Sequence, residues 1–214
     1  GEEPGLDETG DLGAEDHGLV HAGMVRDAAP LPDAALEDAS STDAASPGAI
    51  RFDPIPCTFT LPSGHVEGET PHCGQVAVAE QRSPATGTAT IAFLALRGRE
   101  PILHPDPVVM LPGGPGLYAE RLVENLSPER IDELGVRRRI IVVEQRGVGR
   151  SAPNLDCSEL EQGSFSALAD CYRRYREAGV DLDAYNSVES AADVDRLRRA
   201  LGYEQINLWG SSYG

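Results

Sequence analysis

Five segments of the chain have the apolar patterns of β-strands. Gln75–Glu80 alternates apolar and polar residues, and Ala89–Arg97 is a second candidate that follows a turn-like Ser-Pro-Ala-Thr-Gly stretch. Pro107–Leu111 and Arg139–Val143 contain continuous apolar runs, which are typical of strands buried on both faces. A shorter run, Gln205–Trp209, comes near the end of the sequence.

Helical periodicity separates several of these strands. Tyr118–Leu134 repeats apolar residues at helical spacing, and we expect Pro128 to interrupt it. The clearest helix begins after Asn186, a good N-cap with Glu189 three residues later in a capping-box arrangement, and Gly202 ends it. Its predicted buried face consists of Val188, Ala191, Val194, Leu197 and Leu201. Because strands alternate with helices, the sequence predicts an α/β fold around a mostly parallel sheet.

Acidic residues are concentrated at the start of the chain. Of the 35 Asp and Glu residues, twelve lie in residues 1–50 beside a single arginine, so this segment carries −11 of the net charge of −17. Residues 1–48 also have almost no aromatic or β-branched residues, so burial cannot offset the entropy of ordering them. We therefore expect a disordered acidic tail over 1–48, where the metal-like spacing of His17 and His21 has no metal-binding role, and an ordered region over 49–214.

This charge excludes some classes of partner. A strongly anionic protein does not suit nucleic acid or a simple anionic membrane surface. No apolar run approaches the roughly 18 residues that would span a bilayer. Because the chain begins at Gly1 and not at Met, we expect that an upstream signal peptide has been removed. A lipid-modified cysteine upstream of the acidic tail is one hypothesis for an anchor.

The four cysteines fall into two nearby pairs, Cys57 with Cys73 and Cys157 with Cys171. Each pair would close a short loop flanked by polar residues, which favours two local disulfides in an exported, secreted or periplasmic protein. Four reduced core thiols are the alternative. A zinc site is the weakest interpretation, because no two cysteines have the close spacing that structural zinc uses.

The sequence Gly210-Ser211-Ser212-Tyr213-Gly214 fits the pattern G-x-S-x-G. In this motif the serine lies at a sharp turn between a strand and a helix, and the small residues at Gly210 and Gly214 let the chain turn without a clash. The pattern also arises by chance, so its position directly after a predicted strand is what makes it specific. Ser212 is therefore the candidate nucleophile.

A second glycine-rich stretch, Gly113-Gly114-Pro115-Gly116, follows the predicted strand Pro107–Leu111. When a serine attacks a carbonyl, two backbone N–H groups must point at the oxyanion that forms. One is expected from the residue after the nucleophile, Tyr213, and the other from the loop after the third strand, here Gly114. The other residues of this stretch, Gly113, Pro115 and Gly116, would shape the loop.

The third motif, Glu144–Ser151 (EQRGVGRS), follows the predicted strand Arg139–Val143. Its glycines and Ala152 also fit G-x-G-x-x-A, a dinucleotide-binding fingerprint. That fingerprint must open a helix whose N-terminus holds a pyrophosphate, and Pro153 with a predicted disulfide follows here instead. We therefore expect no cofactor at this position.

Together, these three motifs resemble the proline iminopeptidase and tripeptidyl aminopeptidase family of α/β-hydrolases, over roughly Cys57 to Gly214. The G-G-P-G loop, the Q-R-G-x-G-x-S stretch and the G-x-S-Y-G elbow match residue by residue. The cysteines and Ala184–Gly202 look most similar to the exported, disulfide-bearing tripeptidyl aminopeptidases. Two positions depart from the family: Glu144 stands where Asp is usual, and Pro112 where the iminopeptidases often have His. We expect Glu144 to cause a structural adjustment and no loss of chemistry.

A serine hydroxyl needs a base, and the base needs an orienting carboxylate. In α/β-hydrolases these follow the serine in the order Asp or Glu, then His, whereas all five histidines of this chain precede Ser212. His104 is the histidine nearest the predicted loops, but it comes before the strand that leads to the oxyanion loop. We therefore expect the remaining strands, the cap and the catalytic Asp and His beyond Gly214, and residues 1–214 alone to be inactive and poorly folded.

The resemblance implies an exported serine aminopeptidase that releases short units from peptide N-termini through an acyl-enzyme on Ser212, without a metal or organic cofactor. An esterase acting on a small acyl compound would use the same fold and mechanism. A third possibility, from a different class, is a non-catalytic surface protein that keeps the fold and lacks the triad.

Overall fold

The computed structural model of the protein describes residues 52–58, 61, 64–66, 71–124, 126–162 and 165–214. The acidic tail predicted over 1–48, with His17 and His21, lies outside the described residues. Of the helices in the described part, none has the length and apolar character that crossing a membrane requires.

Eight strands are present in the described part of the chain. In chain order they are β1 (Asp53–Pro54), β2 (Pro71–Val78), β3 (Gln81–Arg82), β4 (Ala85–Thr86), β5 (Ala89–Leu96), β6 (Val108–Leu111), β7 (Ile140–Val143) and β8 (Asn207–Gly210). Six of them form one sheet in the spatial order β1-β2-β5-β7-β6-β8, whereas β3 and β4 pair only with each other. The strand β8 therefore lies at one edge of the sheet.

The large sheet is mixed. β6 runs parallel to both β7 and β8, as expected, whereas the β1–β2, β2–β5 and β5–β7 pairs are antiparallel. The connections explain the difference, because β2 and β5 are joined through the small β3–β4 ribbon, while β6 reaches β7 through helices. A short hairpin-like link makes neighbouring strands antiparallel, and a helical crossover allows them to be parallel.

In the part of the chain that the structure describes, four α-helices accompany the sheet: α1 (Ala119–Val123), α2 (Pro128–Gly135), α3 (Phe165–Glu177) and α4 (Ser187–Ala200). Two 3-10 segments, Ser158–Gln162 and Leu182–Ala184, precede α3 and α4 respectively. As predicted, Pro128 divides the first helical stretch, and it does so as the first residue of α2, where its missing N–H costs no hydrogen bond.

The sheet is covered on both faces, which makes three layers. Because side chains alternate along a strand, Ile141 and Val143 of β7 pack with Leu197 and Leu201 on the α4 side. Ile140 and Val142 pack with Val123 and other residues of α1 and α2 on the opposite side. All four residues of β7 are buried, which confirms the prediction of a strand covered on both faces.

The helix α4 is capped as predicted, but its buried face differs from the prediction. The Asn186 side chain accepts hydrogen bonds from the N–H groups of Val188 and Glu189 at 3.0 Å each. The prediction that Val188 and Ala191 are buried is wrong: Val188 is 79% exposed and Ala191 is exposed. The inward-facing residue of this first part of the helix is Asp193, which is 2% exposed. Its charge is compensated by arginines from other elements, so an aspartate can replace an apolar residue there.

Candidate active site

The chain turns sharply after β8, and Ser212 lies in that turn. Its backbone has φ of 56°, in the left-handed region that costs a non-glycine residue about 1–2 kcal/mol. Two backbone hydrogen bonds hold the turn: Ser211 N–H donates to the Leu111 carbonyl at 3.3 Å, and Gly214 N–H donates to the Ser211 carbonyl at 3.0 Å. The strained residue is thus fixed against the end of β6.

The two outer glycines of this turn are required by close backbone contacts. A Cβ atom at Gly210 would overlap the carbonyl group of Gly214, and one at Gly214 would overlap the carbonyl oxygen of Leu111. Because these neighbours are backbone atoms, a side chain at either position could not be accommodated by a change of rotamer. The geometry matches the strand-to-turn placement predicted for G-x-S-x-G.

The loop after β6 lies directly against Ser212. A Cβ atom at Gly113 would lie 2.6 Å from the Ser211 carbonyl oxygen and 2.9 Å from Ser212 Cβ. Gly114 and Gly116 have φ of 112° and 97°, so the loop needs glycine for its backbone conformation as well. The register of the parallel pair β6–β8, which places Leu111 opposite Gly210, brings the two glycine-rich segments together.

Two backbone donors in this region are unused. Among the described residues, neither the Gly114 N–H nor the Tyr213 N–H donates a hydrogen bond to any acceptor. The Ser212 hydroxyl is exposed and likewise has no hydrogen-bond partner in the described part of the chain. An oxyanion hole requires two N–H donors that are free in this way.

The described histidines lie away from this turn. His104 precedes β6 at the end of the strand opposite to Ser212, and at about 3.3 Å per residue β6 alone separates the two by on the order of 10 Å. His72 pairs with Ala95, towards the start of β7, which is also the far end of the sheet. His65 is buried and bonds the Leu126 carbonyl oxygen at 2.8 Å.

The loop after β7 is held by a buried carboxylate. Glu144 is 2% exposed and accepts hydrogen bonds from the Arg150 N–H at 2.6 Å and from the Arg150 guanidinium at 2.9 and 3.1 Å. Gly149 leaves room for it, since a Cβ atom there would lie 2.6 Å from the Glu144 carboxyl carbon. The Ser151 hydroxyl donates to the Glu144 carbonyl at 2.6 Å and accepts from the Ala92 N–H at 2.9 Å. The expected structural role of Glu144 agrees with these contacts.

Arg146 of the same loop enters a buried ionic cluster that the sequence did not predict. It is paired with Asp193 through two hydrogen bonds of 2.8 Å, and it donates to the carbonyls of Glu80 and Ala184 at 2.6 and 2.7 Å. Arg82 bonds the same aspartate at 2.5 Å. A sequence signal was available, because Asp193 lies four residues before Leu197 on the inward stripe of the helix.

The contacts of this cluster shift several pKa values. Burial alone would raise the pKa of Glu189, but its side-chain and backbone hydrogen bonds from Arg82 outweigh this and lower it. The Arg82 pKa is raised, because the hydrogen bonds to Asp193 and Glu189 outweigh the effect of burial. Burial and the hydrogen bond from its hydroxyl to Glu80, 2.9 Å long, raise the pKa of the Tyr185 phenol. Glu189 thus binds Arg82 and does not complete the predicted capping box.

No helix opens at the G-x-G-x-x-A stretch, where residues 147–157 form turns and irregular structure. The next α-helix, α3, begins at Phe165, and the sequence pattern did not predict it. Tyr175 of α3 donates a bifurcated hydrogen bond to the carbonyls of Asn154 and Asp156, 2.7 Å each. The segment after the glycines is therefore held by a helix that begins later in the chain. A pyrophosphate-binding turn would instead lead directly into a helix.

Both predicted disulfides are present, joining Cys57 to Cys73 and Cys157 to Cys171. They fit an oxidising compartment. Glu159 lies close to the second bridge, but its carboxylate is bound by the Arg174 guanidinium at 2.6 Å and both cysteines are oxidised. These three residues therefore do not form a metal site, because disulfide sulfur is not the thiolate that metals bind.

A cavity of about 270 Å³ lies between the three motifs. Its lining includes Pro115 and Gly116 of the first loop, Arg146 and Val148 of the second, and Tyr213. The Tyr213 hydroxyl is 3.1 Å from the hydroxyl of Ser187 at the start of α4. The cavity therefore adjoins the residue after the candidate nucleophile and the residue after Gly114.

Comparison with known proteins gives one family and two curated relatives. The family model for the alpha/beta hydrolase fold matches residues 106–214. A protein of Streptomyces coelicolor named a probable proline iminopeptidase is 30% identical over 118 residues, and a proline iminopeptidase of Xanthomonas citri is 30% identical over 111 residues. Each match covers 52% of this chain and 26% of the relative, so the chain spans about a quarter of their length.

Among solved structures, the PEG-bound complex of a cold-adapted esterase from an Arctic intertidal metagenomic library is similar, with 12% sequence identity and a TM-score of 0.29. The match covers 72% of this chain and 56% of that chain. A TM-score this low supports no conclusion about activity.

Proposed function

Because the chain belongs to the alpha/beta hydrolase fold family, we propose that the protein is a serine hydrolase with Ser212 as its nucleophile. The observation that carries the proposal is the left-handed φ of 56° at Ser212, in a turn that two glycines and two backbone hydrogen bonds enforce. Strain of this kind persists only where the surrounding structure imposes it, and it is concentrated at functional sites.

In the proposed reaction, the Ser212 oxygen attacks the substrate carbonyl carbon while a base removes the hydroxyl proton. The carbonyl oxygen becomes an oxyanion, which the free N–H groups of Tyr213 and Gly114 stabilise by hydrogen bonds. Collapse of this intermediate breaks the bond to the leaving group, which takes the proton from the base. Water then hydrolyses the acyl-serine ester. The base is a histidine oriented by an Asp or Glu, both supplied by protein that follows Ser212 in the chain order of this fold.

The proposed substrate is the N-terminus of a peptide, from which the protein releases short units. The two relatives named as proline iminopeptidases support this choice. The two disulfides support a secreted or periplasmic location. Neither step of the proposed reaction needs a metal or an organic cofactor.

The test is hydrolysis by the full-length protein of aminoacyl and tripeptidyl p-nitroanilides, compared with p-nitrophenyl esters. We expect cleavage of the anilides, and we expect Ser212→Ala to reduce kcat/KM at least about 10³-fold, as removal of a nucleophile does in serine peptidases. Ser211→Ala is the matched control, because its side chain has no hydrogen bond in the described part of the chain. Cleavage of esters alone would indicate an esterase, and full activity in Ser212→Ala would refute the proposal.

A further inference from the structure

The side chain of Tyr213 is held at its far end by the start of α4. Its hydroxyl lies 3.1 Å from the hydroxyl of Ser187, the first residue of that helix. Among the described residues this is the one hydrogen bond that either of the two side chains makes. Tyr213 directly follows the proposed nucleophile, so the contact joins the turn after β8 to a residue 26 positions earlier in the sequence.

The backbone of this turn is held on both sides of Tyr213 but not at Tyr213 itself. Ser211 and Gly214 make the hydrogen bonds of the turn, whereas the backbone groups of Ser212 and Tyr213 make none in the described part of the chain. A proposed oxyanion donor has to stay free, so the Tyr213 N–H cannot be fixed by an acceptor of its own. The orientation of this N–H therefore depends on the flanking bonds and on the Tyr213 side chain.

Packing alone does not fix the Tyr213 ring. The residue lines the cavity between the three motifs, yet it remains 43% exposed. A tyrosine side chain rotates about only two bonds, so a restraint on its hydroxyl leaves the residue little freedom and costs little entropy. The hydrogen bond to Ser187 supplies that restraint.

The start of α4 is a firm support for this contact. The Asn186 side chain accepts two hydrogen bonds from N–H groups of the first turn, 3.0 Å each, and its amide donates to the Asp183 carbonyl at 2.8 Å. The Glu189 carboxylate accepts a hydrogen bond from the Arg82 N–H at 3.2 Å, which ties the same turn to the β3–β4 ribbon. The hydroxyl that meets Tyr213 therefore projects from a turn that is itself held from two directions.

We propose that Ser187 is a positioning residue of the hydrolase: its hydroxyl holds the Tyr213 phenol and thereby keeps the Tyr213 N–H in the orientation that stabilises the oxyanion. The proposal rests on the proposed function. Because the oxyanion forms only as the reaction proceeds, loss of the contact lowers kcat and leaves KM nearly unchanged. Ser187 acts only through Tyr213 in this role.

The first test is hydrolysis of an aminoacyl p-nitroanilide by variants of the full-length protein. We expect Ser187→Ala to lower kcat at least about threefold, as the loss of one neutral hydrogen bond does, with KM within about twofold. Ser187→Thr keeps a hydroxyl and should restore kcat. Val188→Ala is the control, because Val188 is the next residue, is 79% exposed and has no hydroxyl. A smaller fall in Ser187→Ala, or a fall that Ser187→Thr does not restore, would overturn the proposal.

A double-mutant cycle tests whether Ser187 acts through Tyr213. Tyr213→Phe removes only the phenol hydroxyl, so it should lower kcat by the same factor as Ser187→Ala. The double variant should show no further fall, since both changes delete the same hydrogen bond. Thermal melts confirm that each variant is folded at the assay temperature. Effects that multiply in the double variant would show that the two residues act independently and would refute the positioning role.

Inhibition by a peptidyl trifluoromethyl ketone tests the oxyanion directly. The Ser212 oxygen adds to the ketone carbon, the hydroxyl proton passes to the base, and the ketone oxygen becomes the oxyanion. We expect Ser187→Ala to raise the inhibition constant by the factor by which it lowers kcat. An unchanged inhibition constant would overturn the proposal.

Ser212→Ala separates this proposal from the proposed function. If Ser212→Ala abolishes hydrolysis while Ser187→Ala leaves kcat unchanged, the positioning role is wrong and the nucleophile is right. If Ser212→Ala remains fully active, the proposed function fails and the role of Ser187 fails with it.

Discussion

Two loops follow the adjacent parallel strands β6 and β7, and they are held in opposite ways. The loop Gly113–Gly116 is fixed by backbone packing, with Gly113 pressed against the Ser211 carbonyl and Ser212. The loop Gln145–Ser151 is fixed by charged side chains, through Glu144 with Arg150 and Arg146 with Asp193. The two loops touch through a long hydrogen bond, 3.4 Å, from the Gln145 amide to the Pro112 carbonyl.

The two loops also differ in their suitability for a direct part in a reaction. Several donors of the second loop already have acceptors, among them the Arg150 N–H and the three guanidinium nitrogens of Arg146. In the first loop and the adjoining turn, the N–H groups of Gly114 and Tyr213 have no acceptor among the described residues. Free donors next to a nucleophile can stabilise a charge that appears during a reaction, and the glycine-rich loop is the one that packs against Ser212, so it is the candidate for catalysis.

Removal of a carboxylate from the buried ionic cluster should have the largest effect on stability. Asp193→Ala leaves Arg146 buried without its hydrogen-bonded carboxylate, with only Glu189 at 3.7 Å nearby, and we expect it to lower the free energy of unfolding by about 3–5 kcal/mol. Asp195→Ala on the same helix removes exposed pairs with Arg198 and Arg199 and should cost less than about 1 kcal/mol. Urea unfolding measures both, and equal losses would contradict the assignment of a buried ionic cluster.

Breaking the backbone-packed loop should affect activity most. Gly113→Ala pushes a methyl group against Ser211 and Ser212, and we expect kcat/KM to fall about 100-fold, as a displacement of about 1 Å at a reacting group produces. Gly179→Ala is the control, since Gly179 also has a positive φ of 82° but nothing lies near its Cβ position. That variant should lose stability without losing activity. A Gly113→Ala protein as active as the control would contradict the contact.

A substitution that disturbs the loop Gln145–Ser151 should lower stability more than activity. Glu144→Gln removes the charge that binds Arg150, and we expect a loss of about 1.5–3 kcal/mol in the free energy of unfolding. Because Glu144 touches no proposed catalytic group, kcat/KM should change less than about tenfold under conditions where the variant is folded. Kinetics beside a chemical melt measure the two effects, and a large loss of activity with normal stability would assign this loop a direct part in the reaction.

Relief of backbone strain should have different effects at Val136 and Ser212, two of the three described non-glycine residues with positive φ, whose φ values are 49° and 56°. Val136 ends α2 in the left-handed conformation and is 58% exposed. Val136→Gly should therefore raise the free energy of unfolding by about 1 kcal/mol without changing activity. Ser212→Gly should also relieve strain but abolish activity. Thermal melts and kinetics test both, and destabilisation by Val136→Gly would show that its conformation is not strained.

The smallest expected effect is a pH dependence at the edge of the ionic cluster. The pKa of Glu189 is lowered in the folded protein because hydrogen bonds from Arg82 outweigh burial. Its contribution to stability is therefore fully present above its unfolded pKa, near 4.5, and is lost as the pH falls through the lower folded value. The stability difference between the protein and Glu189→Gln should shrink between neutral pH and pH about 3. A difference that stays constant in urea melts over this range would contradict the shift.

Much of the site could be predicted from the sequence because its signals are local. Continuous apolar runs predicted β6 and β7, glycine spacing predicted the sharp turn at Ser212, and Asn186 predicted the start of α4. These features depend on backbone geometry that a few neighbouring residues determine. The α/β-hydrolase fold that they implied is confirmed.

The features that could not be predicted depend on contacts between segments that are far apart in the sequence. Period-two alternation does not specify strand direction, so the antiparallel pairing of β2 and β5 was not predictable from it. Helix α3 was missed because its buried residues include Ala167 and Cys171, while Leu168 and Tyr172 are exposed. Asp193 could be buried only because Arg82 and Arg146 reach it from other elements.

Treatment of the full-length protein with a fluorophosphonate, followed by mapping of the modified peptide by mass spectrometry, tests whether Ser212 is the nucleophile. We expect a single modification on Ser212, absent in Ser212→Ala and retained in Ser211→Ala. We also expect slower labelling in Gly113→Ala, where the proposed oxyanion loop is displaced. Modification of another serine, or no modification of a protein that still hydrolyses its substrate, would show that Ser212 is not the nucleophile.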